Sequence, residues 1–239
     1  VKTNTALTFR RSDERGHANH GWLDSRFTFS FADYYDPAHM GFRSLRVIND
    51  DRIAPRGGFP THPHRDMEIF SYILEGQLAH QDSMGNARVL TPGQIQLMSA
   101  GSGVTHSEFN PSPDQAAHLL QIWIQPRQRG LTPRYTEWTP TAAQEAESKV
   151  LVISADGRDG SATIAQDVDV FRIKLPPGAR VTHTLAPGRG LWLHQVRGVA
   201  ELNGTGINPG DAASSERSGD FTLAATTEAV EALLFDLGA

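Results

Sequence analysis

The chain carries 239 residues, 38% hydrophobic and 21% charged, with a formal net charge of −5; that length buries one large core or two modest ones. No cysteine is present, so disulfides, thiolate zinc sites and cysteine-held iron–sulfur clusters are excluded, and any metal must take imidazole or carboxylate. The mild acidity argues against direct nucleic-acid binding, and no apolar run approaches the ~20 residues of a membrane span.

In chain order, the opening Val1-Lys2-Thr3-Asn4-Thr5 lacks the apolar stretch of a secretory signal, which makes the cytoplasm the expected compartment. His17 and His20 follow in a segment containing Gly and Asn. They read as a hydrogen-bonded loop, because a His-x-x-His pair on a strand points to opposite faces. Short runs rich in β-branched and aromatic residues then alternate with Gly and Pro, the mark of many strands joined by tight turns. Strands are expected over residues 27–31, 44–49, 68–74, 94–98 and 118–124, then over 150–154, 170–175, 191–196, 200–202 and 230–235. Between these groups, residues 126–140 read as a connector, and residues 141–148 favour one or two helical turns through Ala and Glu. Asn203-Gly204 after Glu201-Leu202 is a strong two-residue hairpin signal.

One pattern occurs twice. Leu74-Glu75-Gly76 leads to Thr91-Pro92-Gly93, and Val196-Arg197-Gly198 leads to Asn208-Pro209-Gly210, about 120 residues later. Such an offset predicts a duplicated β-domain. Only the first copy carries ligand-type side chains: His62-x-His64 and His106-x-Glu108. On a strand, residues i and i+2 share a face, so each pair aims two donors at one place. Three neutral imidazoles and one carboxylate suit a divalent metal such as iron(II) and leave coordination positions open. The corresponding positions of the second copy fall on Thr184, Ala186 and Leu223, a scaffold without a metal site. Of the remaining histidines, His39 and His80 read as surface, His118 as core or pocket wall, and His183 and His194 as structural. Phe59, Met67 and Met98 flank the ligand segments as pocket lining or as ordinary core, while Arg65 either steers an anionic substrate or pairs with a carboxylate.

The run Gly58-Phe59-Pro60-Thr61-His62-Pro63-His64-Arg65-Asp66-Met67-Glu68, then Leu74-Glu75-Gly76, resembles the first cupin motif as it occurs in the pirin family. Thr91-Pro92-Gly93, then Met98-Ser99-Ala100-Gly101-Ser102-Gly103-Val104-Thr105-His106-Ser107-Glu108, resembles the second. The segment from Arg15 to Leu23 and the closing Leu233-Leu234-Phe235-Asp236-Leu237 look like the bacterial branch, so the likeness covers essentially the whole chain. It implies an all-β bicupin with the metal site in the N-terminal barrel only. Residues 1–136 would form the metal-binding cupin, 137–148 a linker, and 149–239 a cupin-like domain without ligands.

By the same resemblance His62, His64, His106 and Glu108 hold the metal. Cupins at large often take a glutamate from the first motif, whose counterpart is Glu68; pirins use Glu108 instead, leaving Glu68 a non-ligand neighbour. The expected metal is Fe(II), with Cu, Ni, Co, Mn or Zn as acceptable substitutes. The implied activity is a quercetin 2,3-dioxygenase-like oxidoreductase that opens the heterocyclic ring of a flavonol with dioxygen, Glu108 acting as general base. A competing expectation is an iron-dependent redox sensor of pirin type that binds a protein partner without catalysis; a third is a zinc cupin doing isomerase or hydrolytic chemistry.

Overall fold

The structure is a computed structural model that describes residues 7–239. Val1–Thr5, on which the reading of the chain's start rests, lie outside those residues. Chain contacts divide the molecule into two units, one of residues 15–140 with 162–166, the other of residues up to 14, 141–161 and 167–239. The chain passes from one unit to the other after Pro140, and residues 162–166 return to the first. Residues 7–14 group with the C-terminal unit, whereas the sequence expectation keeps 1–136 together. Thr8–Arg10 pairs antiparallel with Ala212–Ser215, Thr8 lying opposite Ser214, and Leu7 and Phe9 pack against that unit's core.

Among the described residues the first unit holds two antiparallel sheets. The larger runs Arg134–Trp138, Ile95–Ser99, Glu68–Glu75, Ala117–Ile124, Leu45–Ile53, Leu23–Phe27 and Gly16–Asn19 from edge to edge. The smaller runs Gly58–His64, Val104–Phe109, Leu78–Asp82 and Ala87–Leu90. The central strands of the larger sheet are buried along nearly their whole length, as continuous apolar runs such as Ile69-Phe70 and Leu119-Leu120 require. Val104–Phe109 instead alternates buried and exposed, the period-two signature of a sheet with one face inward.

The second unit repeats this order. Its larger sheet includes Thr8–Arg10, Ala212–Ser215, Gly190–Arg197, Val230–Leu237, Val168–Leu175 and Lys149–Ser154, and its smaller sheet runs Arg180–Leu185, Gly219–Ala225, Ala200–Leu202 and Thr205–Ile207. The repeated turns are conformationally matched. Gly76 and Gly198 have φ of 70° and 71°, and Gly93 and Gly210 have φ of 85° and 83°, values that a residue with a Cβ adopts only under strain. Asn203 and Gly204 both take positive φ between the paired strands Ala200–Leu202 and Thr205–Ile207, the hairpin turn the sequence predicts. The short α-helix Ala142–Ala146 begins at a capping box in which the Thr141 and Gln144 side chains each bond the other's backbone N–H.

Three sequence expectations fail in detail. Residues 27–31 are not a strand; the strand lies earlier, at Leu23–Phe27. The expected connector at 126–140 contains the strand Arg134–Trp138, which pairs with Ile95–Ser99; its Arg, Thr and Glu hid the pattern because only Trp138 is buried. His17 lies on the strand Gly16–Asn19 rather than in a loop, and its Nε2 meets Asp24 Oδ1 at 3.0 Å.

Candidate metal centre

The smaller sheet of the first unit places three successive i, i+2 pairs on one face: His62 and His64, His106 and Glu108, His80 and Asp82. The register sets His106 opposite His62 on one side and opposite Asp82 on the other, with Glu108 opposite His80. Gly58–His64 is the edge strand, which is why it tolerates Pro60 and Pro63, two residues with no N–H for a ladder. Its register against Val104–Phe109 shifts between His106 and Glu108, Glu108 lying opposite Phe59. The extra residue bulges the edge strand at Pro60 and Thr61. That bulge turns the Pro60 carbonyl onto His62 Nδ1 at 2.7 Å.

His62, His64 and His106 converge, with one ligand atom of each within 4.8 Å of the others. His62 Nε2 and His106 Nε2 stand 3.1 Å apart, and the His64 ring lies 4.7 Å from that of His62 and 4.9 Å from that of His106. Burial, with the neighbouring imidazoles, pushes the His64 pKa down to about 4 and that of His106 down to about 3. Both rings are therefore neutral at pH 7, the form that offers a lone pair to a metal. Since a carbonyl only accepts, His62 Nδ1 must carry that ring's proton, which leaves its Nε2 bare toward the cluster. The donor set fits a divalent cation.

Glu108 is placed differently from the three histidines. It is not one of that mutually close set; its carboxylate groups with His80 and His106, again within 4.8 Å. A row of polar side chains on the larger sheet holds it. Ser71 lies opposite both Gln121 and Gln96 in the ladder. Gln121 Nε2 donates to Glu108 Oε2 at 2.6 Å, and Gln96 Nε2 donates to Oε1 at 2.5 Å; Ser71 Oγ, with one proton to give, faces Gln121 Oε1 at 3.0 Å and Glu108 Oε1 at 3.2 Å. Tyr135, whose hydroxyl donates to Gln96 Oε1 at 3.3 Å, fixes which way that amide points. Nothing in the sequence marks Ser71, Gln96 and Gln121 as a set; only the sheet register does. Glu68 stands apart, accepting from Ser99 Oγ at 2.7 Å and Ala165 N at 3.2 Å.

His80, expected at the surface, has a fully buried side chain. Its ring stacks on Tyr135 at 4.9 Å and meets His106 Nδ1 at 3.4 Å. A lone histidine beside turn residues gives no hint of this in sequence, although its i, i+2 spacing to Asp82 does. His118 is buried as expected and bonds Asp50 at 2.6 Å. Arg65 is exposed.

Beside the histidines, Trp123 packs edge-on against His64 at 4.9 Å and forms one wall of a cavity of about 280 Å³. Phe31, Tyr34, Tyr35, Met40 and Met67 line much of the rest. Met67 lines this cavity and also packs against the cluster of Ile69, Met98 and Val104. Phe59 packs on the unit's core, and Met98 is buried in a cluster with Ile69 and Val104.

Fold and site together define a bicupin with a histidine-rich metal-site candidate; among the described residues both groupings of metal-ligating side chains lie in its N-terminal unit. Residues 8–124 match the Pirin family, and residues 151–237 match the quercetinase C-terminal cupin domain. The chain belongs to the pirin family. It is 48% identical to the quercetin 2,3-dioxygenase of Escherichia coli K12 over 97% of this chain and 98% of that one. It is 39% identical to a pirin-like protein of Caulobacter vibrioides, over 94% and 96% of the two chains. The crystal structure of the bacterial pirin YhhW from Escherichia coli in complex with nickel(II) superposes with a TM-score of 0.92. That match has 46% identity and covers 98% of this chain and 99% of that one. No helix among the described residues is long and apolar enough to cross a membrane.

Proposed function

We propose that this chain is a metal-dependent dioxygenase that opens the heterocyclic ring of a flavonol such as quercetin, releasing carbon monoxide. The observation that carries the reading is the convergence of His62, His64 and His106, with Trp123 both packed on His64 and lining an aromatic-walled cavity. The identity to a curated quercetin 2,3-dioxygenase over nearly the full chain supports it. The three histidines would hold the metal with Glu108 as the fourth ligand. Imidazole and carboxylate suit iron(II), and they accept nickel as well. When bound, the metal supplies Lewis acidity that stabilises a coordinated substrate oxyanion.

The chain's own residues do the rest. Phe31, Tyr34 and Trp123 present aromatic faces and edges to a planar polyphenol, orienting it next to His64. Glu108 takes the proton from the flavonol 3-hydroxyl. Gln121 Nε2 donates to its Oε2 and Gln96 Nε2 to its Oε1, so the carboxylate is held at both oxygens while it does so. Gln96 and Gln121 then hold the carboxyl in place. The loaded protein, given quercetin and air after anaerobic addition of iron(II), is expected to bleach the substrate with uptake of dioxygen. Absence of turnover with iron, copper, nickel, cobalt and manganese alike would remove the reading.

A further inference from the structure

We propose that Asp82 and His80 form a positioning relay that holds His106 in the one tautomer able to bind metal. The inference rests on the proposed metal site and adds residues to it that no ligand motif contains.

The relay is read from one end. Asp82 is a fixed acceptor: Oδ1 takes the backbone N–H groups of Met84 and Asn86 at 2.9 and 3.1 Å and the Asn86 amide at 3.1 Å. Oδ2 takes the Asn86 amide at 2.9 Å and faces His80 Nε2 at 3.1 Å. A carboxylate so placed accepts only, hence a neutral His80 ring carries its proton on Nε2 and leaves Nδ1 bare. That bare nitrogen faces His106 Nδ1 at 3.4 Å, so the His106 proton sits on Nδ1. The lone pair of His106 is then left on Nε2, the atom 3.1 Å from His62 Nε2. Two bare nitrogens face each other there, an arrangement that a cation between them resolves. His62 reaches the same state through the Pro60 carbonyl; the buried His106 has no such carbonyl and takes its orientation from His80. An anionic Asp82 behind His80 also makes His80 the stronger acceptor, which raises the basicity of His106 as a ligand.

The test uses the full chain. Zinc-loaded protein labelled with ¹⁵N-histidine is expected to show His106 protonated at Nδ1 and His80 at Nε2 by two-bond ring correlations. The opposite assignment at either ring would overturn the relay whether or not any variant folds. In competitive chelator titrations, His80→Phe keeps the ring against Tyr135 but removes the acceptor, and should weaken zinc and cobalt binding 10–100-fold. His80→Asn, whose amide oxygen can stand near the lost Nδ1, should restore most of that affinity. Unchanged affinity in His80→Phe would reduce His80 to packing and defeat the proposal. So would two bound metals per chain in the wild type falling to one in His80→Phe, since His80 would then be a ligand. The underlying site is tested separately: His62→Ala should lose metal while His183→Ala retains it. Equal retention by those two variants would remove the metal site, and the relay with it.

Discussion

Asp51, on the strand Leu45–Ile53, is a buried carboxyl whose partner is a hydroxyl, the Ser25 side chain. Burial pushes its pKa up from 3.8 to about 7; the Ser25 bond opposes the rise, while Asp50 and Glu108 add to it. Because the folded-state value is the higher one, the native protein holds a proton that the unfolded chain has already lost between roughly pH 4 and pH 7. Stability must therefore fall as pH rises through that window, by up to about 4 kcal/mol for a displacement of this size. Asp51→Asn, neutral at every pH, is expected to flatten the slope. In urea unfolding of metal-free protein it should match wild type near pH 5 and exceed it at pH 8, and parallel curves at both pH values would refute this. At this scale the sequence was legible where chemistry was local. His62, His64 and His106 announce themselves by spacing. Asp51, Gln96, Gln121 and His80 do not, because their meaning depends on which strand lies alongside.

At the scale of elements, the edge strand Gly58–His64 sets the precision of the centre. Gly58 is needed there for room: a Cβ on it would meet the Glu108 carbonyl and come within 2.6 Å of Phe109 Cα. Gly58→Ala should push the edge strand off Val104–Phe109, costing about 1–3 kcal/mol and weakening metal retention through His62. Thermal melting together with chelator titration checks both effects, and an alanine variant with unchanged melting would show that the sheet gives way without cost. Strands with apolar runs, such as Ala117–Ile124 and Gly190–Arg197, were readable to within a residue or so. Strands carrying polar residues on both faces were not. Arg134–Trp138 and Arg180–Leu185 owe their conformation to pairing partners, a tertiary cause that a short window of sequence does not contain.

At the scale of the whole molecule, duplication was legible from two glycine turns, but the division of the chain was legible only near residue 140. The assignment of the opening strand was hidden because Thr8–Arg10 is three residues long and its partner lies far away in sequence. What secures it is specific. Arg11 reaches Asp211 at 2.8 Å and the Gly206 carbonyl at 3.0 Å, and Ser12 N donates to the other Asp211 oxygen at 2.7 Å. Arg11→Ala leaves a buried carboxylate short of one donor, a loss of about 1–3 kcal/mol. Amide hydrogen exchange should then speed up across Thr8–Arg10 and Ala212–Ser215 while Glu68–Glu75 stays protected; uniform exchange would place the strand's anchorage elsewhere.

The pairing of Thr8 with Ser214 also orders events during synthesis. Residues 15–140 can collapse as they emerge from the ribosome, whereas Thr8–Arg10 must wait, unpaired, for some two hundred further residues to be translated. Closing so long a loop is slow, and until it closes Ala212–Ser215 offers an open edge to any passing strand. Nascent chains that have exposed Ala212–Ser215 before Thr8–Arg10 docks should therefore carry a folded first unit beside a second one with an open edge, which makes the late stage of translation the point where a chaperone has most to shield.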